Sequence, residues 1–243
     1  MISIVTGTLD RKHLLPNLID NTVNSCDKLE LVLVDGGSDD GTIEYIKSLN
    51  HPKIKLIEVG GRSSYPHFMN LGIENSSFEW VCQWNDDALL VSKWDDVINE
   101  IDNNNDFYLF NWKYGTYENM TEQEWIDGTD NYGKSHRNGG WFIFDMYNTH
   151  YQEIVMNYGI YNKKIFREIG MYSTEFMYYF CDGDMSRRSH LFGYNHKSLE
   201  HIKVCSISAE KKAYTVPNDY TVYNRNHEEY KNKILNDKIP LLK

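Results

Sequence analysis

Three groups of acidic residues stand where they could do chemistry. The first centres on Asp35, in Val34-Asp35-Gly36-Gly37-Ser38-Asp39-Asp40-Gly41-Thr42, directly after the apolar run 29–34. An aspartate there can accept hydrogen bonds from a base N–H or a ribose hydroxyl, and the glycines permit a tight turn behind it. Asp40 or Thr42 can cap the helix that follows. The second group is Asn85-Asp86-Asp87, after the apolar stretch 78–84. A divalent cation bridging two phosphates needs hard oxygen ligands, and Mg2+ or Mn2+ takes only one or two of them from a protein. The third is Cys181-Asp182-Gly183-Asp184-Met185-Ser186-Arg187-Arg188, two acids ahead of two arginines. Each group also has a plainer reading: turn chemistry at Asp35, a capped loop before Leu89-Leu90-Val91, and helix capping by Asp182 and Asp184. Two acidic sites at strand ends point to a nucleotide and a metal sharing one cleft.

The surrounding chain alternates strand and helix. Apolar runs over 2–6, 29–34, 53–59, 78–84 and 106–110 read as strands. Helical spacing of apolar residues appears over 14–23, 42–49, 65–74 and 94–101. Such alternation implies a mainly parallel sheet with right-handed crossovers. Both Asp35 and the 85–87 triplet then lie at the C-terminal edge of the sheet, where open α/β folds bind ligands. The stretch 114–140 breaks the rhythm and reads as an insertion or a loop over the cleft. The pattern resumes with a short strand near Ile160 and a helix over 163–169. In the tail after Ser208 one helix is expected over about 227–235.

Bulk properties narrow the class. With 243 residues and 41% apolar content, the chain can bury a real core as one α/β domain. A net charge of −10 and a pI near 5.3 argue against nucleic acid or an anionic membrane surface as partner. No apolar run reaches the roughly 20 residues of a membrane helix. Residues 1–5 read as a strand rather than a secretory signal. Cys26, Cys82, Cys181 and Cys205 form no Cys-x-x-Cys pair, which predicts reduced thiols in a cytoplasmic protein.

Taken together, these segments resemble the family 2 glycosyltransferases, whose consensus at the first site is close to Val-Asp-Asp/Gly-Gly-Ser-Thr-Asp-Gly-Thr. The likeness covers about residues 2–100 and 158–195. It implies the GT-A fold: a single α/β domain over 1–243, with a mostly parallel central sheet flanked by helices. Residues 1–100 would bind a nucleotide-sugar, 101–208 the acceptor, and 209–243 form a tail. By resemblance, Asp86 contacts the ribose and Asp87 the metal, Mn2+ or Mg2+. The family's Glu-Asp-x-Asp-Leu falls on 181–185, which makes Asp182 the catalytic base, with Asp184 and Arg188 in support. Thr6, Gly7 and Thr8 match the nucleotide-binding end of the first strand. Arg62 and Asn70 fall in the segment where the family carries nucleotide contacts. His201 matches a late metal ligand of some relatives, and Arg225 could reach the diphosphate. Departures are Asn85 for the first acid of the triplet, Met69 for an Arg, Leu9 for a stacking aromatic and Cys181 for Glu.

The implied reaction moves a sugar, by default from a UDP-sugar, to the hydroxyl of a glycan or other acceptor, with inversion. Two rival classes differ in what they require. A catalytically silent GT-A domain would bind a sugar nucleotide or glycan without turnover. A nucleotidyltransferase would need more glycine than Gly7-Thr8-Leu9-Asp10-Arg11-Lys12 supplies. A dehydrogenase is disfavoured, since no Gly-x-Gly-x-x-Gly follows a strand.

Overall fold

In the computed structural model, residues 1–102, 104–114, 158–176 and 181–206 are described. The expected loop over 114–140, the tail helix and Arg225 lie outside those residues, apart from Tyr114 itself. The elements run β1 (Ile2–Thr8), α1 (Leu15–Asn21), β2 (Leu29–Asp35), α2 (Thr42–Leu49), β3 (Ile54–Glu58), α3 (Tyr65–Asn75), β4 (Trp80–Gln83) and β5 (Ala88–Leu90). They continue with α4 (Trp94–Glu100), β6 (Phe107–Tyr114), β7 (Gly159–Asn162), α5 (Lys163–Ile169), α6 (Cys181–Leu191) and β8 (His196–Ser206).

The eight strands form one mixed sheet in the order β3-β2-β1-β4-β7-β6-β8-β5. Strands β3, β2, β1 and β4 are parallel, joined through α1, α2 and α3. β7 then runs antiparallel to both β4 and β6, while β6 and β8 pair in parallel. The first crossovers leave β1 toward β2 on one side, and α3 returns the chain to β4 on the other. The crevice of such a sheet opens at this switch, beyond the carboxyl ends of the strands.

Side-chain alternation builds the two faces. On β1 and β2, Ile2, Ile4, Leu29, Leu31 and Leu33 face one way, while Val5 and Val32 face the other. The first face packs against Leu15 and Leu18 of α1, Ile46 of α2, and Trp94 and Val97 of α4. The second packs against Met69 and Ile73 of α3, Ile165 and Phe166 of α5, and Met185 of α6. The result is three layers, helix–sheet–helix.

Two strands are absent from the sequence-based expectation, β5 and β8. β5 has three residues, too few for a period to register. It pairs with β8 on one side only. Its other edge is satisfied by Asn21: the side-chain amide donates to the Leu90 carbonyl at 2.9 Å and accepts from the Leu90 N–H at 2.6 Å. β8 carries Lys197, Glu200, His201 and Lys203 among its apolar residues, and a register shift opposite Phe110 and Asn111 breaks its alternation.

Candidate active site

Asp35 ends β2 and is fully buried. Its Oδ1 accepts from the backbone N–H of Gly37 at 2.8 Å and of Ser38 at 2.9 Å; its Oδ2 accepts from the Ser38 hydroxyl at 2.5 Å. The carboxylate therefore organises its own turn, as the plainer reading required, and keeps lone pairs for a ligand. Gly37 has φ +91°, and a Cβ there would come within 3.1 Å of the Gly60 and Gly61 backbone. Only glycine lets the two loops meet so closely. Arg62, exposed, follows directly on that second loop.

Asp86 and Asp87 lie in the turn between β4 and β5. The turn is closed by the Ala88 N–H donating to the Asn85 carbonyl at 3.1 Å and by the Trp84 indole N–H donating to the Ala88 carbonyl at 3.1 Å. Trp84 is itself locked in the core against Trp94 and Tyr158. Both carboxylate residues are only 5% exposed. Beside them lies a cation, Arg11, from the β1–α1 loop. Its Nη1 lies 2.5 Å from Asp86 Oδ1 and 3.9 Å from Asp87 Oδ2. Burial raises the Asp86 carboxyl above the usual carboxylate range, while Arg11 and the hydroxyl of Thr8 pull it back.

The Arg11 loop is strapped to the Asp35 loop. The Asp10 N–H donates to Ser38 Oγ at 2.9 Å, the Asp39 N–H to Asp10 Oδ1 at 2.9 Å, and the Lys12 N–H to Asp40 Oδ2 at 2.9 Å. Asp10 adopts φ +53°, a left-handed conformation that aspartate tolerates better than most residues. Thr6 and Thr8 are buried at the end of β1. Phe68 of α3 lies over the backbones of Gly7 and Gly36, where a Cβ at either glycine would come within 3.2 Å of its ring. An aromatic face thus borders the Asp35 turn although Leu9 holds the position where one was expected.

Asp182 opens α6. Its Oδ1 accepts from the Gly183 N–H at 3.0 Å, and loss of solvent pushes its carboxyl up to about 6. The phenols of Tyr65, Tyr161 and Tyr172 feel this charge; burial raises all three, and Asp182 raises them further, so they stay neutral. Cys181 is buried in the core beside it, and its thiol is likewise held neutral by burial. A neutral side chain suits that place better than the family's Glu would.

The base of α6 is fixed from below. Arg188, fully buried, donates from Nε to Asp184 Oδ2 at 3.0 Å, from Nη1 to the Ile169 carbonyl at 2.8 Å, and from Nη2 to the Met171 carbonyl at 2.8 Å. The segment thus anchored is clamped in turn to α3. The Asn70 side chain donates to the Tyr172 carbonyl at 2.9 Å and accepts from the Tyr172 N–H at 3.0 Å. The Tyr172 hydroxyl donates to Gln83 Oε1, three residues before Asp86. This chain of contacts ties the segment 169–172, and through Arg188 the second half of α6, to the end of β4.

Two expectations differ from this geometry. Asn70, expected at the nucleotide, spends its amide on the backbone of Tyr172 and acts as a clamp. His201, expected as a metal ligand, faces Glu100 of α4, Nε2 to Oε1 3.2 Å. Ala88, next to Asp87, pairs with Ser206; His201 lies five residues further along β8, roughly 16 Å away at strand spacing. Arg11, Phe68 and the tyrosine cluster were not anticipated. A lone arginine in a loop carries no motif, and aromatic residues on a helix read as core.

The donor set fits a divalent cation. Among the described residues no group of three or more His, Cys, Asp or Glu could cage a metal. Asp87, with Asp86 beside it, offers the one or two carboxylates sufficient for Mg2+ or Mn2+, which keep water and phosphate oxygens as their other ligands.

A fold and a strand-end acid pair of this kind are those of a nucleotide-diphospho-sugar transferase. The profile of glycosyl transferase family 2 matches residues 3–182, and the chain belongs to that family. No curated protein sequence matches it. Among solved structures, the mannosyltransferase PcManGT from Pyrobaculum calidifontis, in complex with GDP-Man and Mn2+, is similar with a TM-score of 0.61 at 15% identity, over 87% of this chain and 58% of that one. S. aureus TarS 1-349 is similar with a TM-score of 0.63 at 16% identity, over 96% of this chain and 69% of that one. TarS 1-349 in complex with UDP-GlcNAc gives 0.58 at 17%, over 97% and 70%. The chain thus spans just over half the length of PcManGT. No helix among the described residues is long and apolar enough to cross a membrane.

Proposed function

We propose that the chain is a metal-dependent, inverting glycosyltransferase that moves a sugar from a nucleotide-sugar, by default a UDP-sugar, to an acceptor hydroxyl in glycan synthesis. The observation that carries this reading is Asp182: a carboxyl poised near 6, at the start of a helix that Arg188 fastens to the segment 169–172, which in turn bonds Gln83 three residues before Asp86. A general base works best with a pKa near the working pH. Residues 1–100 hold the donor, 101–208 the acceptor, and 209–243 form the tail.

Asp35, with the Thr6-Gly7-Thr8 strand end and Arg62, receives the nucleoside, and Asp86 the ribose. Asp87 holds Mn2+ or Mg2+, which when bound neutralises charge on the diphosphate leaving group. Asp182 accepts the proton of the acceptor hydroxyl as its oxygen bonds to the anomeric carbon. The bond from that carbon to the diphosphate breaks on the opposite face, and its electron pair leaves with the nucleoside diphosphate. One displacement inverts the centre, and no covalent enzyme intermediate forms. The buried phenols of Tyr161 and Tyr172, with the half-buried Tyr65, limit the water that reaches Asp182. Four buried cysteines without a disulfide accord with a cytoplasmic setting.

The test is thermal stability with UDP, in the presence of Mn2+ and again with EDTA. A ligand at a hundredfold excess over its Kd stabilises by about 2.7 kcal/mol. The shift should require the metal. A shift that survives EDTA removes the role of Asp87, and a larger shift with guanine nucleotides removes UDP as the donor base. GDP-Man in the PcManGT complex makes the latter comparison necessary.

A further inference from the structure

We infer that Arg11 is the resident cation of the Asp86–Asp87 pair, excluding bare metal from it until a nucleoside diphosphate arrives and takes over the guanidinium. This inference rests on the donor-site reading above. Three observations carry it. The two carboxylates are nearly closed off from water, and Arg11 Nη1 reaches both, at 2.5 and 3.9 Å. Two adjacent buried anions need a compensating cation close by, and a divalent ion on Asp87 would serve the same purpose. The guanidinium and the metal are therefore alternative partners for one patch of charge.

Second, the guanidinium is held by one nitrogen rather than by its fork. Its Nε is buried and donates to no partner among the described residues. A buried donor left unused costs free energy, which a diphosphate oxygen would recover. Arginine's planar set of donors matches phosphate oxygens well. Third, Arg11 sits between residues tied to the nucleoside loop: Asp10 to Ser38 and Asp39, and Lys12 to Asp40. Ser38 in turn bonds the Asp35 carboxylate. A nucleotide on Asp35 therefore meets Arg11 on a loop that is already fixed in place. Arg11 turns from the acids toward the diphosphate, and the metal that the diphosphate brings takes the guanidinium's place beside Asp87. Metal and nucleotide then enter as one unit.

The experiment is Mn2+ binding, followed by the electron paramagnetic resonance of the free ion, with and without UDP. The parent should bind Mn2+ at least tenfold more tightly with UDP than without. Arg11→Gln should reverse both halves: bare Mn2+ binds about tenfold more tightly than to the parent, and UDP at saturating Mn2+ binds about tenfold more weakly. Arg11→Lys, which keeps a charge on a shorter stem without the fork, should fall between them and serves if the glutamine variant does not fold. A merely structural salt bridge predicts that both ligands weaken together in each variant, and that result overturns the inference. Asp87→Asn separates the two levels. If Asp87→Asn abolishes Mn2+ binding but the Arg11 variants leave bare-metal affinity unchanged, the inference fails alone. If Asp87→Asn leaves Mn2+ binding intact, the donor-site reading fails and the inference falls with it.

Discussion

Asp182 and Asp35 are both aspartates at element ends, yet their surroundings give them different work. Asp35 accepts three hydrogen bonds within its own turn. Asp182 accepts one, in a setting that raises its carboxyl to about 6. Two consequences follow for pH. As a base, Asp182 must be ionised, so kcat/KM should rise with pH through an inflection near 6 and level off above it. For stability the sign is opposite. An acid with a raised folded pKa contributes stability that is full below its unfolded value near 3.8 and is lost as pH rises through about 6. Asp182→Asn should therefore flatten the melting temperature between those limits; an unchanged pH profile of melting would contradict the burial account. Arg188 lies deeper. Replacing it with Met removes one partner of a buried ion pair and should cost about 3–5 kcal/mol, read by denaturant titration. The identities of these residues were legible in the sequence. Their partners were not, because Arg188 spends most of its donors on the carbonyls of Ile169, Gly170 and Met171, which leave no pattern in side chains.

At the scale of elements, α3 does two things at once. It crosses β1 so closely that a Cβ on Gly72 would overlap Cγ1 of Val5, and its Asn70 clamps the approach to α6. Gly72→Ala should overpack this crossing and destabilise by about 1–3 kcal/mol, despite alanine's better helix propensity. A melting temperature raised by that substitution would contradict the packing. The helices over 42–49 and 163–169 are legible from apolar spacing because each buries one stripe against one face of the sheet. β5 is not, since three residues stabilised by the Asn21 side chain and one neighbour carry no period. β8 is not, because the shift opposite Phe110 and Asn111 resets its alternation midway.

Among the described residues, four parallel strands build the first half of the sheet and an antiparallel turn through β7 brings the later half alongside β4. The sequence carries the first part openly, in two strand ends that finish in acids. It carries the second through the spacing of Cys181 to Arg188 and a resemblance, since nothing in composition says that the segment before α6 returns to β4. The Gln83–Tyr172–Asn70 contacts make that junction, and each of those residues reads alone as ordinary packing. The central claim is that Asp182 does chemistry there rather than capping a helix. It is tested most directly by comparing the parent with Asp182→Asn, above the pKa of Asp182, for UDP–Mn2+ affinity and for sugar transfer together. The account predicts that the variant folds and binds UDP with Mn2+ as the parent does, while transfer falls by roughly two to four orders of magnitude. Transfer retained in the variant would contradict it, as would binding without any transfer by the parent.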